Sequence, residues 1–306
     1  MQVKIILAAA ALSVVSQAAI AEELTGTLEK IRSSGTITLG HRESSTPFSY
    51  YDDNEKVIGY AMELCHLAVD AVKARLGLPK LDVKYVPVTP SGRIQSVLSG
   101  AIDLECGTTT NNIERQKVVT FSTTYYVAAN RFATKATAGL RTLDDLKGKI
   151  AVSTIGSTNI KQLSDLNARR QLNLTILAAK DNGEAFRMLE SDRADAFVMD
   201  DILLYSRIAE SATPGDYTVA EEALSIEPYG IMMRRDDPAF KKVVDDAVAT
   251  VYRSGEIQKI YAKWFMAPIP PKNVNLNVPM SAPLKHAVER LIDSGDPEAY
   301  RVENTH

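Results

Sequence analysis

The chain has 306 residues, 45% hydrophobic and 24% charged, with a formal net charge of −3 that becomes −4 if a leader containing Lys4 is removed. Such a length suffices for two modest lobes, each with its own core. The near-neutral balance argues against an electrostatically driven nucleic-acid binder, so no nucleic-acid partner is expected.

Taken in chain order, the first segment reads as a secretory signal. Lys4 is a short positive start, 5–15 an apolar run, and Ala19-Ile20-Ala21 a cleavage site, so the mature chain is expected to begin at Glu22. A buried N-terminal helix is the competing reading. The apolar run is too short to span a bilayer, and no lipid-accepting cysteine sits near the cut, so a soluble exported protein is expected. Strand-like segments then fall at 36–39, 81–88, 102–106, 125–134, 149–154, 174–178, 194–199 and 229–234. Helical patterns occupy 60–76, 93–98, 112–119, 158–166, 183–191 and 202–211; in the first, Leu64, Ala68, Ala71 and Val72 recur at helical spacing. Such alternation predicts an α/β architecture with mostly parallel sheets. Beyond Pro268 a proline-rich stretch and a helix over 283–294 read as an extension packed on the surface.

Cys65 falls on a predicted helix and Cys106 at the end of a predicted strand. In an oxidising compartment the pair favours a disulfide over two buried thiols. Cys106 belongs to the most informative stretch, Glu105-Cys-Gly-Thr-Thr-Thr-Asn-Asn-Ile-Glu-Arg115, where a strand empties into glycine and threonines before a helical pattern. Helix N-termini favour small anions; Thr108 and Thr110 supply hydroxyls and Arg115 a two-pronged cation suited to a carboxylate. Equally, Thr110 or Asn111 caps the helix and Arg115 is a solvated charge. A similar pattern, Lys149-Ile-Ala-Val-Ser-Thr-Ile-Gly-Ser-Thr-Asn-Ile-Lys161, follows about 45 residues later and suggests two lobes facing one cleft. There Thr158 is a second hydroxyl or a plain cap. Asp200 ends the apolar run 194–200, either as an ammonium ligand or as a cap. Arg42 and Arg93 follow predicted strands and by themselves read as surface cations. Catalytic signals are weak: nucleotide-loop, H-E-x-x-H and G-x-S-x-G patterns are absent, and the four histidines form no metal set with the cysteines.

The 105–115 stretch resembles the Gly-x-Thr-x-x-x-Glu-Arg segment of the periplasmic amino-acid-binding proteins of ABC importers (solute-binding family 3), and the resemblance, closest to glutamate- and aspartate-binding members, extends over nearly all of 25–270. It implies a two-lobed, type II binding-protein fold with a two-strand hinge. Lobe 1 would comprise 22–131 and 230–267, lobe 2 132–229, and an extension 268–306. It further implies that Arg115, with Thr108, Thr110 and Thr158, holds an α-carboxylate, Asp200 an α-ammonium, and Arg42 and Arg93 a distal carboxylate. Phe48 is placed either against the ligand or in the core. Where those members read Lys-Asp-His-Gly, this chain reads Lys180-Asp-Asn-Gly, so Asn182 offers only a neutral amide at that place. The expected partners are L-glutamate or L-aspartate and a membrane permease; a monomer without metal or cofactor is expected. A binder of glutamine or asparagine, or an exported cyclohexadienyl dehydratase on the same fold, is the alternative.

Overall fold

The computed structural model describes residues 24–302, so the expected signal at 1–21 lies outside the described residues. Helix α1 (Gly26–Ser34) leads into β1 (Thr36–His41), buried from Ile37 onward as befits a strand covered on both faces. A small meander follows, β2 (Ser44–Ser45), β3 (Ser49–Tyr51) and β4 (Val57–Ile58), which the sequence pattern did not suggest. Helix α2 (Tyr60–Arg75) buries Leu64, Ala68 and Val72 along one stripe, and Ala71 sits at its half-buried margin. After it come β5 (Asp82–Pro87), α3 (Arg93–Leu98), β6 (Leu104–Cys106), α4 (Ile113–Gln116) and β7 (Val119–Phe121). The helix expected over 112–119 is therefore one turn. Asn112 caps it by accepting from the Arg115 backbone N–H at 2.9 Å, and the β-branched run Val118-Val119-Thr120 turns the chain into strand.

From β8 (Tyr126–Lys135) the chain builds a second unit: β9 (Ile150–Thr154), α5 (Thr158–Arg170), β10 (Thr175–Ala179), α6 (Asn182–Glu190), β11 (Ala196–Asp200), α7 (Asp201–Glu210), β12 (Tyr217–Val219) and β13 (Ser225–Tyr229). It returns through β14 (Met232–Arg234), α8 (Pro238–Arg253) and α9 (Glu256–Phe265), and ends in β15 (Pro268–Ile269), β16 (Val274–Asn275) and α10 (Ala282–Arg290). The single strand expected over 229–234 is thus two, parted at Gly230 and Ile231. One sheet has the order β5-β1-β6-β14-β7; the other has β10-β9-β11-β8-β12, with β13 also on β8.

These sheets are mixed, which corrects the mostly parallel sheets expected. β1 runs parallel to β5 and β6, and β9 parallel to β10 and β11, whereas β14 opposes both neighbours and β8 opposes β11, β12 and β13. Connectivity is the reason. A strand that arrives from the other lobe enters its sheet at the cleft end and so runs against strands that end there. Over 126–129 β8 pairs with 226–229 of β13 alone, and β11 joins it from Asn130. This two-stranded ribbon is the hinge.

Cys65 on α2 and Cys106 on β6 are joined by a disulfide, Cα–Cα 6.2 Å, across 41 residues. Phe48 is fully buried among Tyr60, Tyr126, Tyr229 and Phe265, with ring centroids 4.9 Å from Tyr126 and 5.4 Å from Tyr229. It is a core residue of the hinge region, which decides between its two readings. The C-terminal helix expected over 283–294 stops at Arg290, because Leu291 adopts a left-handed conformation. Beyond it the extension packs against the first lobe: Asp293 O accepts from Asn111 Nδ2 at 2.8 Å, and the buried Tyr300 hydroxyl lies 2.7 Å from Thr124 Oγ1. No helix among the described residues is long and apolar enough to cross a membrane.

Candidate ligand site between the lobes

A small cavity lies between the two lobes. Arg42, Arg93, Thr108 and Thr110 line it from the first lobe, and Thr158, Asn182 and Asp200 from the second. Of the eight residues singled out in the sequence, Arg115 alone is not on its wall. The parallel strands of both sheets end here, where their connecting loops can offer polar groups.

Arg42 follows β1 and is buried, yet its guanidinium has no hydrogen bond or ion pair among the described residues. Burial, and then the neighbouring Arg93 charge, bring it down to about 10, so it remains cationic at neutral pH. Gly107 permits its position: a Cβ there would lie 2.3 Å from Glu105 Oε1 and 2.8 Å from Arg42 Cγ. Arg93 opens α3 and is also buried. Its Nη1 donates to Thr108 O at 3.1 Å, while its Nε has no partner among the described residues. Two buried guanidiniums with donors to spare favour an anion between them.

Arg115 sits where the lobes meet. Its Nη1 donates to Thr110 O at 2.8 Å and its Nη2 to Gly156 O of the second lobe at 3.4 Å. Burial, then Arg93, bring it down to about 9. A one-turn α4 offers little as an anion-binding helix end, so Arg115 and the threonines carry whatever anion affinity this segment has.

In the second lobe Ser157, not Thr158, caps α5, accepting from the Ile160 N–H at 3.2 Å. Thr158 is thereby free of the capping role; its Oγ1 donates to Glu227 Oε2 at 2.7 Å and lies 3.4 Å from Thr110 Oγ1. Asn182 is neither exposed nor a cap. Asp181 caps α6, and Asn182, 3% exposed, accepts from Thr154 Oγ1 at 2.9 Å. Asp200 does not cap α7 with its side chain. Its carboxylate accepts from Asn159 Nδ2 at 2.7 Å and from the Tyr229 hydroxyl. Burial, with the charge of Glu227, pushes Asp200 up to about 7, against the pull of those two hydrogen bonds.

Sequence reasoning missed Asn159, Glu105, Glu227 and Tyr229. Asn159 directly follows Thr158, Glu105 opens the 105–115 stretch and Tyr229 opens the strand expected over 229–234, so each lay beside a recognised signal. Glu227 carried none. The wall thus has a cationic pole, Arg42 with Arg93, and a carboxylate, Asp200, suited to an ammonium group. Among the described residues no cluster of His, Cys, Asp and Glu suits a metal ion.

Comparison with known proteins gives a consistent picture. The sequence pattern of the bacterial extracellular solute-binding proteins, family 3, matches residues 37–267. The chain is 50% identical over 282 residues to the L-glutamate/L-aspartate-binding protein of Pseudomonas aeruginosa, spanning 92% of this chain and 93% of that one. It is 46% identical over 259 residues to the glutamate/aspartate import solute-binding protein of Escherichia coli (strain K12), spanning 85% and 86% respectively. A solved ancestral arginine-binding protein bound to arginine matches with a TM-score of 0.68 at 27% identity, over 76% of this chain and 98% of that one.

Proposed function

The chain belongs to the bacterial extracellular solute-binding proteins, family 3, and we propose that it captures L-glutamate or L-aspartate between its lobes and delivers it to the membrane permease of an ABC importer. It is a binding protein and not an enzyme, as its relatives at 46–50% identity are. The observation that carries the choice of ligand is the pair of buried arginines on a wall that also holds Asp200: among the described residues the Arg42 guanidinium has no hydrogen-bond partner and Arg93 Nε is unpaired. An acidic amino acid supplies what each pole lacks: a distal carboxylate for Arg42 and Arg93, and an α-ammonium for Asp200. Its α-carboxylate falls to Thr108, Thr110, Thr158 and Arg115, and Asn182 adds a neutral donor. Contacts from both lobes exist together only when the lobes approach, so ligand favours closure. Charge-assisted hydrogen bonds contribute about 1.5–3 kcal/mol each, and several of them support a dissociation constant of about a micromolar or below.

The same reading takes 22–131 with 230–267 as lobe 1, 132–229 as lobe 2 and 268–306 as an extension, in a monomer exported to the periplasm and cleaved after Ala21. Calorimetric titration of ligand-stripped protein with each of the twenty amino acids tests the ligand. Glutamate and aspartate should bind with at least about a hundredfold preference over glutamine and asparagine. Preference for the amides would transfer the assignment to a neutral ligand, and turnover of prephenate or arogenate would transfer it to a dehydratase.

A further inference from the structure

The hinge strand β13 ends in Tyr229, a fully buried residue with a foot in both lobes. Its backbone belongs to the junction: Tyr229 O accepts from the Tyr125 N–H at 2.9 Å, Pro228 O from the Asn111 N–H at 2.7 Å, and Tyr229 is bridged to Thr110. Its ring packs against Phe48 of the first lobe at 5.4 Å and Tyr126 of the hinge at 5.8 Å. Its hydroxyl nevertheless donates to Asp200 Oδ2 in the second lobe, while Asn159 Nδ2 donates to Oδ1 at 2.7 Å.

We propose that Tyr229 is a positioning residue for ligand capture, holding the Asp200 carboxylate ionised and aimed into the cavity, with Asn159 as its counterpart on the other oxygen. The inference rests on Asp200 being the group that receives the ligand's α-ammonium. Each carboxylate oxygen has two acceptor sites, so one donor per oxygen leaves each with a lone pair for the ammonium. The two donors also stabilise the charged form inside a buried site. Without them, burial and the charges of Glu227 on β13 and Asp201 on α7 would favour the protonated acid, against the charge of Arg115. A protonated Asp200 has no charge to offer an ammonium group. The sign follows. Removing a donor to the carboxylate raises its protonation midpoint, so affinity is lost at a higher pH as the solution is acidified.

The test is Tyr229→Phe, which keeps the ring and its packing, with Asn159→Ala as a second variant that removes the other donor. Glutamate and glutamine are titrated calorimetrically from pH 5.5 to 8.5, with circular dichroism to verify folding. Each variant should bind both ligands about tenfold or more weakly at pH 7 and recover part of that loss at pH 8.5. The midpoint of the acid-side fall should rise by about one pH unit. Equal weakening of both ligands is part of the expectation, because the α-ammonium is common to them. A variant with an unmoved midpoint overturns the proposal, whether affinity is unchanged or is lowered uniformly at every pH. If the parent prefers glutamine, the acidic-ligand reading fails, but the midpoint shift measured with glutamine still decides the role of Tyr229.

Discussion

Closure of the lobes depends on a glycine at their point of contact, so Gly156→Ala should weaken ligand binding without touching any ligand-facing side chain. Gly156 has φ +78°, and a Cβ built there would lie 2.5 Å from Ser91 Cα, 2.6 Å from Ser91 N and 2.9 Å from the Pro90 carbonyl carbon. All three are backbone atoms and cannot swing aside as a side chain would. Restoring ordinary contact requires the two loops to part by about 1 Å. Two contacts cannot survive that separation. The Arg115 Nη2 to Gly156 O hydrogen bond is already 3.4 Å, and the Thr110 and Thr158 hydroxyls are 3.4 Å apart. Losing one hydrogen bond to a charged group costs about 1.5–3 kcal/mol, or roughly ten- to 150-fold in affinity. Left-handed backbone at alanine adds about 1–2 kcal/mol, which falls on the open and closed forms alike. Calorimetry should therefore show glutamate binding weakened about ten- to 150-fold, and small-angle scattering a smaller ligand-induced contraction than in the parent. Affinity within about threefold of the parent, with full contraction, would refute the argument that this contact limits closure.

Three further outcomes follow from the site and the crosslink. Arg42→Met and Arg93→Met should each weaken glutamate by about a hundredfold or more and glutamine far less, since only glutamate has a second carboxylate to leave unpaired; equal losses measured by calorimetry would make these arginines supports of the fold. Asn182→His should tighten glutamate relative to the parent at pH 5.5 but not at pH 8, because the ring carries its charge only below about pH 6.5. A histidine contribution is lost as pH rises, whereas the Asp200 contribution, with a midpoint near 7, is lost as pH falls, so the two are separable by the direction of the change. Replacing Cys65 and Cys106 with alanine releases a crosslink across 41 residues and should cost about 4 kcal/mol in the chain-entropy model, read from denaturant midpoints under non-reducing conditions.

Much of the site was legible because the same physics shapes sequence and strand ends. A strand that empties into glycine and hydroxyl residues before a helix is a local signal, and both copies, around Thr110 and Thr158, reach the cleft. Asp200 was legible in the same way, as an acid at the mouth of a buried strand, whereas Asn182 was marked only by the family resemblance. What could not be read locally is which polar atoms meet across the chain. Tyr229 and Asn159 converge on Asp200 from β13 and α5, and Glu227 accepts a hydrogen bond from the Thr158 hydroxyl 69 residues away. Nor could burial be read at Arg42: an arginine beside a strand has the same local sequence whether water or another lobe covers it. By itself the sequence determined the alternating α/β elements, the paired cysteines and the polar loops, because periodicity and turn chemistry act over a few residues. Only the tertiary structure decided the mixed sheet directions, the partners of Asp200 and the meeting of Gly156 with Ser91, because each is set by residues distant in the chain that a two-stranded hinge brings together.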